Sequence, residues 1–570
     1  MPPKDMLATL GSAPHALGDF LHSLPDDHPL QIALRTYALS LSLALGPALL
    51  PFAISSKARR GGLEKTWKVL QREFGVTGFA CAMTVGVGGG AAIRQLLEVL
   101  GETNVRNDAG EKKHIRLALL KDLHKTFFAN VLSSSLAIAL FHLRKQGTRR
   151  ATGRAPIPLT SPVPNNDAAS STISSNARPS ITLDLTLLLL IRAMDSLAQM
   201  AISKICALIR EKTETQDEEA VQKRKRSLRT KLDALVFWAC SARIMWCFFY
   251  EPERLPRSYN KWIMTLANID HRLLDALRAI RAGTWSYRQH QSTRPDLISS
   301  IARDIGYPEK WGDLKILPAY GGAEATAAWK LLGVSSRGDV GGIPCELVHG
   351  KVAGASCTAN VAIRGAEAFA EAFALYLPVH FLPILLTRPR TLLHARRLLR
   401  TLLAVLRSAS FLSSFVSSIW LAVCLTRTLF LARLFPWISH DIWDGPFGCT
   451  FAGSLVCGGS IWIEQGRRRG EIALYVLPRA IRACLSEGWV RGGSRSVRYL
   501  ERITFVLSLS SILTAAIHRP DSLRGLSRWT VAFVLKGPNA GFWKRKRGED
   551  TSPSTPTGDS ASQHTLPPST

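Results

Sequence analysis

Four stretches of this chain contain no charged residue over at least 19 residues, a length that suits a membrane. They are residues 36–56, 74–93, 408–426 and 445–463. At about 1.5 Å of rise per residue, a helix of roughly twenty residues crosses the hydrocarbon core of a bilayer. Water-soluble helices seldom lack charge on every face over that length. The sequence therefore predicts an all-α, polytopic helical membrane protein. The alternative is a large soluble helical protein whose helices are buried.

The positive charge of the chain lies mostly beside these apolar runs. The 72 Lys and Arg residues outnumber the 43 Asp and Glu residues, which gives a formal net charge of +29. Basic loops that border membrane segments set topology and contact anionic lipid headgroups. The chain has neither zinc-finger spacing nor an aromatic–basic RNA-binding pattern. We therefore predict the lipid bilayer and anionic lipids as partners, and no nucleic acid.

An internal duplication predicts two similar halves. Residues 232–262 align with residues 500–529, so that Phe237 meets Phe505. Matches in the same order along the chain indicate two copies of one unit. We predict four to five membrane segments in each half, at 36–56, 74–93, 126–143, 181–209 and 234–250, and at 368–386, 408–426, 445–463, 471–485 and 503–517.

The fourth segment of each half is more polar than the others, and whether it spans the membrane decides the symmetry. Five spans per half would invert the second half, as in many secondary transporters, whereas four would leave the halves parallel. Basic loops after both opening segments favour parallel halves. The basic C-terminal tail favours the inverted arrangement, so the sequence leaves both open.

Composition predicts the domain boundaries. Residues 144–180 are rich in Ser, Pro and Asn, and residues 251–342 have helical periodicity with scattered aromatic residues. The complete division is first-half membrane segments one to three at 1–143, a disordered linker at 144–180, first-half segments four and five at 181–250, an extramembrane helical insert at 251–342, a Cys/His region at 343–366, the second-half membrane domain at 367–536 and a basic disordered tail at 537–570.

Small residues at helical spacing predict close helix packing. Gly86 and Gly90 are four residues apart and share one helical face. Ser410, Ser414 and Ser418 repeat this spacing in the second half. Residues 86–91 also fit a loose dinucleotide-binding pattern. That pattern requires a preceding strand, and here it lies inside an uncharged run, so helix packing is the better interpretation.

Polar residues inside the apolar segments are candidates for a pathway. Asp184 and Arg192 are eight residues apart, about two helical turns, and Asp195 follows. Charged groups within a membrane cost free energy and are often functional. We predict that these three residues line a polar path. The chain shows no Ser-His-Asp set, P-loop or paired-carboxylate arrangement, so no enzyme activity is predicted.

Cys345, His349 and Cys357 have the character of metal ligands. On a helix, Cys345 and His349 share one face, and all three side chains are of types that zinc prefers. The alternatives are a structural Cys/His turn without metal and a disulfide between the two cysteines. Three ligands fall short of a closed four-ligand site, so we expect no tightly held metal. Zinc is the one cofactor for which the sequence offers a candidate site.

The chain resembles the transmembrane protein 135 family, as a fungal-type member, most clearly over residues 345–536. The matching motifs are Cys345-Glu346-Leu347-Val348-His349, Ser356-Cys357, Leu375-Tyr376-Leu377-Pro378, Arg407-Ser408-Ala409-Ser410-Phe411-Leu412, Ile463-Glu464, Arg467-Arg468-Arg469-Gly470 and Asp521-Ser522-Leu523-Arg524-Gly525. The spacing from Cys345 to His349 is one residue shorter than that family leads us to expect.

This resemblance implies a multispanning protein of the mitochondrial or peroxisomal membrane, tied to organelle dynamics and lipid handling. It also implies a distant similarity to the mitochondrial inner-membrane translocase channel proteins. Two functional classes fit. In the first, a path for lipids or metabolites runs between the halves. In the second, the protein is a non-transporting scaffold that recruits protein partners through its basic loops and the insert at 251–342.

Overall fold

The chain is almost wholly helical in a computed structural model that describes residues 24–54, 67, 69–107, 122–151, 182–212, 218–387, 394–490 and 494–537. The α-helices are α1 (Pro29–Ile54), α2 (Phe79–Asn107), α3 (Asp122–Ala151), α4 (Leu183–Lys212), α5 (Glu218–Tyr250), α6 (Arg257–Ala267), α7 (His271–Ala282), α8 (Asp296–Ile305), α9 (Ala323–Leu332), α10 (Cys345–His349), α11 (Cys357–Thr387), α12 (Ala395–Cys424), α13 (Leu431–Leu434), α14 (His440–Trp443), α15 (Cys449–Cys457), α16 (Gly466–Cys484), α17 (Glu487–Val490), α18 (Arg495–His518) and α19 (Gly525–Lys536). Strands β1 (Trp285–Ser286) and β2 (Gln291–Ser292) form one short antiparallel pair.

Six helical segments of the described chain are long and apolar enough to cross a membrane. They are Val69–Leu100, Asp122–Leu143, Leu183–Ile205, Arg226–Tyr250, Ala395–Leu434 and Arg495–His518. The prediction of a helical, multispanning membrane protein is confirmed at this level. Leu183–Ile205 covers the polar fourth segment of the predicted first half, which therefore has the length and composition of a span.

The uncharged run at 445–463 does not form one long helix. Nine residues of α15 pass into a 3-10 helix of six residues, Gly458–Ile463, and together they are shorter than the six candidate spans. Gly458 packs so closely that a Cβ atom there would lie 2.6 Å from Cδ1 of Trp238 on α5. A run without charge is therefore also compatible with a short helix that other helices bury.

The predicted linker and tail lie largely outside the described residues. α3 continues to Ala151, into the predicted linker, and residues 152–180 are not described. The described chain ends at Gly537, so the predicted tail beyond it is also untested. The last two residues of the run at 36–56 also lie outside the described residues.

The chain divides into two compact units, Met1–Phe141 with Leu513–Thr570, and His142–Ile512. In the first unit, Ile32 of α1, Ala91 of α2 and Val534 of α19 share a small apolar core. Asn130 Nδ2 on α3 donates to Thr514 Oγ1 on α18 at 3.1 Å. The division does not follow the boundary between the predicted halves, and the internal repeat stays a prediction.

The second unit contains two buried apolar clusters. The larger joins α5, α12, α15 and α16, with Phe237 packed edge-on against Phe411 at 5.7 Å between ring centroids. The smaller lies within the predicted insert, where α7, α8 and α9 surround Trp285, Tyr287 and Trp329. Leu347 of α10 also belongs to this second cluster, which links the insert to the Cys/His region.

Candidate functional site

Gly86 and Gly90 lie on α2 against α3. Ser133 Oγ on α3 donates to the Gly86 carbonyl at 2.9 Å. A Cβ atom at Gly90 would lie 3.1 Å from Ser133 Oγ and would also collide with Asn130 Oδ1. Gly88, on another face of α2, approaches Ala33 of α1 in the same way. Glycine is needed here because both neighbouring helices come too close for a side chain.

Ser410, Ser414 and Ser418 lie half-buried on α12, but different serines make the closest helix contact. Ser413 Oγ donates to the carbonyl of Gly365 on α11 at 2.7 Å, and Ser417 packs against the same glycine. Ser413 and Ser417 have the same four-residue spacing as the predicted set. The sequence pattern alone therefore does not distinguish the two sets, since all five serines lie on one face of the helix.

The predicted polar residues of α4 make contacts with α16 or within their own helix. Asp184 Oδ1 lies 2.6 Å from Arg482 Nη1, and Arg192 Nη1 lies 4.0 Å from Glu471 Oε2. Arg482 is 7% exposed, whereas Asp184 is 56% exposed. Asp195 accepts a bond from Gln199 one turn along at 3.3 Å. α4 and α16 are the fourth segments of the two predicted halves. These ion pairs therefore connect the two halves at a contact that the sequence did not predict.

Cys345, His349 and Cys357 come together as a buried group whose ligand atoms all lie within 4.8 Å of one another. Cys345 and His349 occupy the two ends of the short helix α10, and Cys357 begins α11. Both cysteines are free thiols. The turn between them contains Gly354, whose carbonyl lies 2.7 Å from His349 Nδ1. This Cys–His–Cys group could bind a metal ion.

Sequence reasoning missed a third cysteine beside this group. Cys424, the last residue of α12, is buried and packs with Cys345 and Cys357. Its Sγ lies 3.6 Å from His349 Nε2. In the sequence Cys424 lies in an apolar run, where a free cysteine is most often a small buried hydrophobic residue. Because 75 positions separate it from His349, no local spacing could have revealed the contact.

The chain after α12 forms a π-helix, Leu425–Leu429, which brings polar side chains inward. Single turns of π-helix are rare and often occur at functional sites. Thr426, Arg427 and Thr428 are all buried in this turn. Arg427 Nε lies 2.6 Å from Asp444 Oδ1, and the two side chains are 5% and 3% exposed. Tyr287 of the predicted insert donates its hydroxyl to Asp444 at 2.6 Å.

Arg337 is fully buried next to Cys345. Its Nη1 lies 3.6 Å from Cys345 Sγ and donates to Thr428 Oγ1 at 2.7 Å. Its Nη2 donates to the Gly341 carbonyl and to His440 Nε2, the latter at 3.1 Å. Among the residues that the structure describes, no carboxylate forms an ion pair with Arg337.

Burial dominates the protonation chemistry of this region. A hydrogen bond with Cys357, together with burial, raises the pKa of Cys345 to about 12, although Arg337 opposes this shift. Burial opposes the charged form of His349, but hydrogen bonds to Cys357 and Gly354 outweigh it and raise the pKa of His349 above its usual value. Burial lowers the pKa of His440 to about 3. Without a metal, Cys345 is therefore a neutral thiol beside a buried cation.

Residues 345–485 match the N-terminal cysteine-rich region of Transmembrane protein 135. This match supports the transmembrane protein 135 family. The match begins at Cys345 and includes His349, Cys357 and Cys424, so every member of the buried group lies inside the matched region. No solved structure matches the chain. The family match and the six apolar helical segments together fit an integral membrane protein.

Proposed function

We propose that this protein is an integral membrane protein of mitochondria or peroxisomes that moves lipids or metabolites along a polar path beside α4. The observation that carries the proposal is the pair of ion contacts from α4 to α16, Asp184 to Arg482 and Arg192 to Glu471. Charged groups within membrane segments are costly, and a passive anchor does not need them. The path would lie between the two halves that the internal repeat predicts.

The apolar surface of α11 supports the lipid side of the proposal. Five large apolar residues of its second half are exposed, namely Leu375, Leu377, Val379, Leu382 and Leu385. A soluble protein rarely exposes so many on one helix, whereas a lipid-facing helix does. The proposed distant similarity to translocase channel proteins is compatible with the tight glycine packing at residues 86–90, and a fungal-type membership is part of the same proposal.

Purified protein reconstituted into vesicles tests the transport proposal. A fluorescent phosphatidylserine placed in one leaflet, and in parallel a trapped small metabolite, would report movement across or through the membrane. We expect Asp184→Asn to reduce the protein-dependent rate at least tenfold, because it removes the charge that pairs with Arg482. Asp521→Asn is the matched control, since it breaks the exposed pair with Arg528. Equal rates in both variants and the wild type would refute the path.

A second candidate is a scaffold that does not transport. The predicted insert favours it, because this region has its own buried core and presents Leu331 of α9 at 83% exposure. In intact organelles, cross-linking followed by mass spectrometry would then find one protein partner repeatedly at the insert. Leu331→Asp in the full chain should abolish these cross-links without changing membrane insertion. Cross-links that survive this substitution would count against the scaffold at this surface.

Subcellular fractionation tests the location in both cases. We expect co-fractionation with mitochondrial or peroxisomal markers and retention in the membrane pellet after alkaline carbonate extraction. Release into the soluble fraction would contradict an integral membrane protein. Enrichment with markers of another organelle would contradict the location alone and leave membrane integration intact.

A further inference from the structure

Four potential metal ligands from three helices converge at one place in the second unit. Cys345 and His349 lie on α10, Cys357 begins α11 and Cys424 ends α12. The cluster thus lies where the start of one long helix meets the end of the next. We propose that these four residues form a closed Cys₃His zinc site, in which Cys424 is the fourth ligand that the sequence did not reveal.

The distances fit a tetrahedral zinc ion. The ligand atoms of Cys345, His349 and Cys357 lie within 4.8 Å of one another, and Cys424 Sγ lies 3.6 Å from His349 Nε2. With Zn–S of about 2.3 Å and Zn–N of about 2.0 Å, tetrahedral zinc separates sulfur from nitrogen by about 3.5 Å and two sulfurs by about 3.8 Å. Side-chain shifts on the order of 1 Å bring Cys345, His349 and Cys357 to these values. Cys424 already lies at the sulfur–nitrogen separation from His349 and packs with both other cysteines.

The hydrogen bond of His349 prepares it to bind metal through Nε2. A backbone carbonyl can only accept, so the 2.7 Å contact with Gly354 requires that Nδ1 carry the proton. In the neutral ring, Nε2 then has a free lone pair, and it is this atom that faces Cys424. Metal-bound histidines are commonly oriented in the same way, by donation from their other nitrogen to a carbonyl. Arg364 Nη2 also donates to the His349 carbonyl at 3.0 Å, which fixes the end of α10.

The charge of the site accounts for Arg337. A buried guanidinium without a carboxylate partner is costly. Zinc bound by three thiolates and a neutral imidazole carries one negative charge, which balances Arg337. The hydrogen bonds have the required direction: Arg337 donates to the Thr428 oxygen, and the Thr428 hydroxyl, 3.4 Å from Cys345 Sγ, is free to donate to the sulfur. Three thiol protons pass to solvent when the metal binds.

Zinc at this position would add metal–ligand bonds between segments that otherwise meet through side-chain packing and hydrogen bonds. It would tie α10, whose Leu347 belongs to the core of the predicted insert, to the long helices α11 and α12. A closed site with no open coordination position stabilises structure and leaves no place for a substrate. The proposed role is therefore structural and is independent of the transport path at α4.

Metal content of the purified full-length protein, kept in detergent under reducing conditions, tests the site. We expect one zinc ion per chain by elemental analysis. After exchange for Co²⁺, we expect tetrahedral ligand-field bands and sulfur-to-cobalt charge transfer of the intensity given by three thiolates. This measurement needs no substitution, so it holds even if the variants fold poorly. A wild-type protein that binds no Zn²⁺ or Co²⁺ after reconstitution would overturn the proposal.

Substitutions identify the fourth ligand. Cys424→Ser should weaken zinc binding by at least about 100-fold and leave a Co²⁺ spectrum with two thiolates. Cys457→Ser is the matched control, because Cys457 is a fully buried cysteine of α15 outside the cluster, and it should keep the full metal content. Arg337→Gln should weaken binding by about 10- to 100-fold with the ligand spectrum unchanged. Unaltered affinity and spectrum in Cys424→Ser would exclude it as a ligand and refute the four-ligand site.

Discussion

The buried ion pair between Arg427 and Asp444 offers the sharpest test of how this fold is stabilised. Both side chains are at most 5% exposed, and two contacts of 2.6 and 3.2 Å join them. Asp444→Asn keeps the shape of the side chain but leaves the Arg427 charge unpaired in the interior. Removing one partner of such a pair costs about 3–5 kcal/mol. Tyr287→Phe removes one hydrogen bond to the same carboxylate and should cost about 1.5–3 kcal/mol.

Hydrogen exchange of the full-length protein in detergent, read by mass spectrometry, is the suitable assay. Amide exchange in the segment around β1 and α14 should be at least about 100-fold faster in Asp444→Asn, because every 1.4 kcal/mol of lost stability raises the population of the open state tenfold. The effect should exceed that of Tyr287→Phe. In the double variant Arg427→Met/Asp444→Asn, most of the protection should return, because no unpaired charge remains.

Two results would show this reasoning to be wrong. The first is an Asp444→Asn variant whose exchange changes no more than that of Tyr287→Phe. That would mean that the unpaired Arg427 charge costs little where it lies. The second is a double variant that is no better protected than Asp444→Asn, which would assign the loss to shape or hydrogen bonding and not to charge.

Three further predictions concern other parts of the described structure. Gly458→Ala should lower the melting temperature of the protein in detergent, because the new Cβ atom meets Trp238. Gly46→Ala is the control and should leave the melting temperature unchanged, since no atom lies within 4 Å of a Cβ there. Equal melting temperatures of the two variants would contradict the close contact at Gly458. Burial lowers the pKa of His440 to about 3. The unfolded chain, in which the pKa of histidine is about 6.5, therefore binds a proton at a higher pH than the folded chain does. The free energy of unfolding should consequently fall as the pH drops below 6.5, by about 2 kcal/mol at pH 5. In His440→Gln the unfolding midpoint should lose that part of its pH dependence between pH 5 and 7, and an unchanged profile would count against a buried neutral histidine. Asp270 caps α7 by accepting from the Arg272 backbone N–H at 2.9 Å, so Asp270→Ala should cost about 1 kcal/mol, measured by chemical denaturation, and Asp270→Asn should retain most of it.

Helix content and membrane character follow from local sequence. A run of about twenty residues without charge predicts an apolar helix of membrane length whatever its tertiary contacts are, because length and hydropathy are properties of the segment itself. The helices at 74–93, 126–143 and 408–426 were predictable on this ground, and those at 181–209, 234–250 and 503–517 from their predominantly apolar composition. The run at 445–463 differs, because it forms a nine-residue α-helix followed by a short 3-10 helix, and its Gly458 packs against Trp238 of α5.

What the sequence by itself determined is the set of local features: apolar helices, the glycine spacing of α2 and three ligands close together between Cys345 and Cys357. Only the tertiary structure decided which distant residues meet them. Cys424 approaches His349 because α11 and α12 pack side by side, and Arg482 meets Asp184 because α16 packs on α4. Such contacts depend on helix packing between segments up to hundreds of residues apart, for which a single sequence contains no periodic signal.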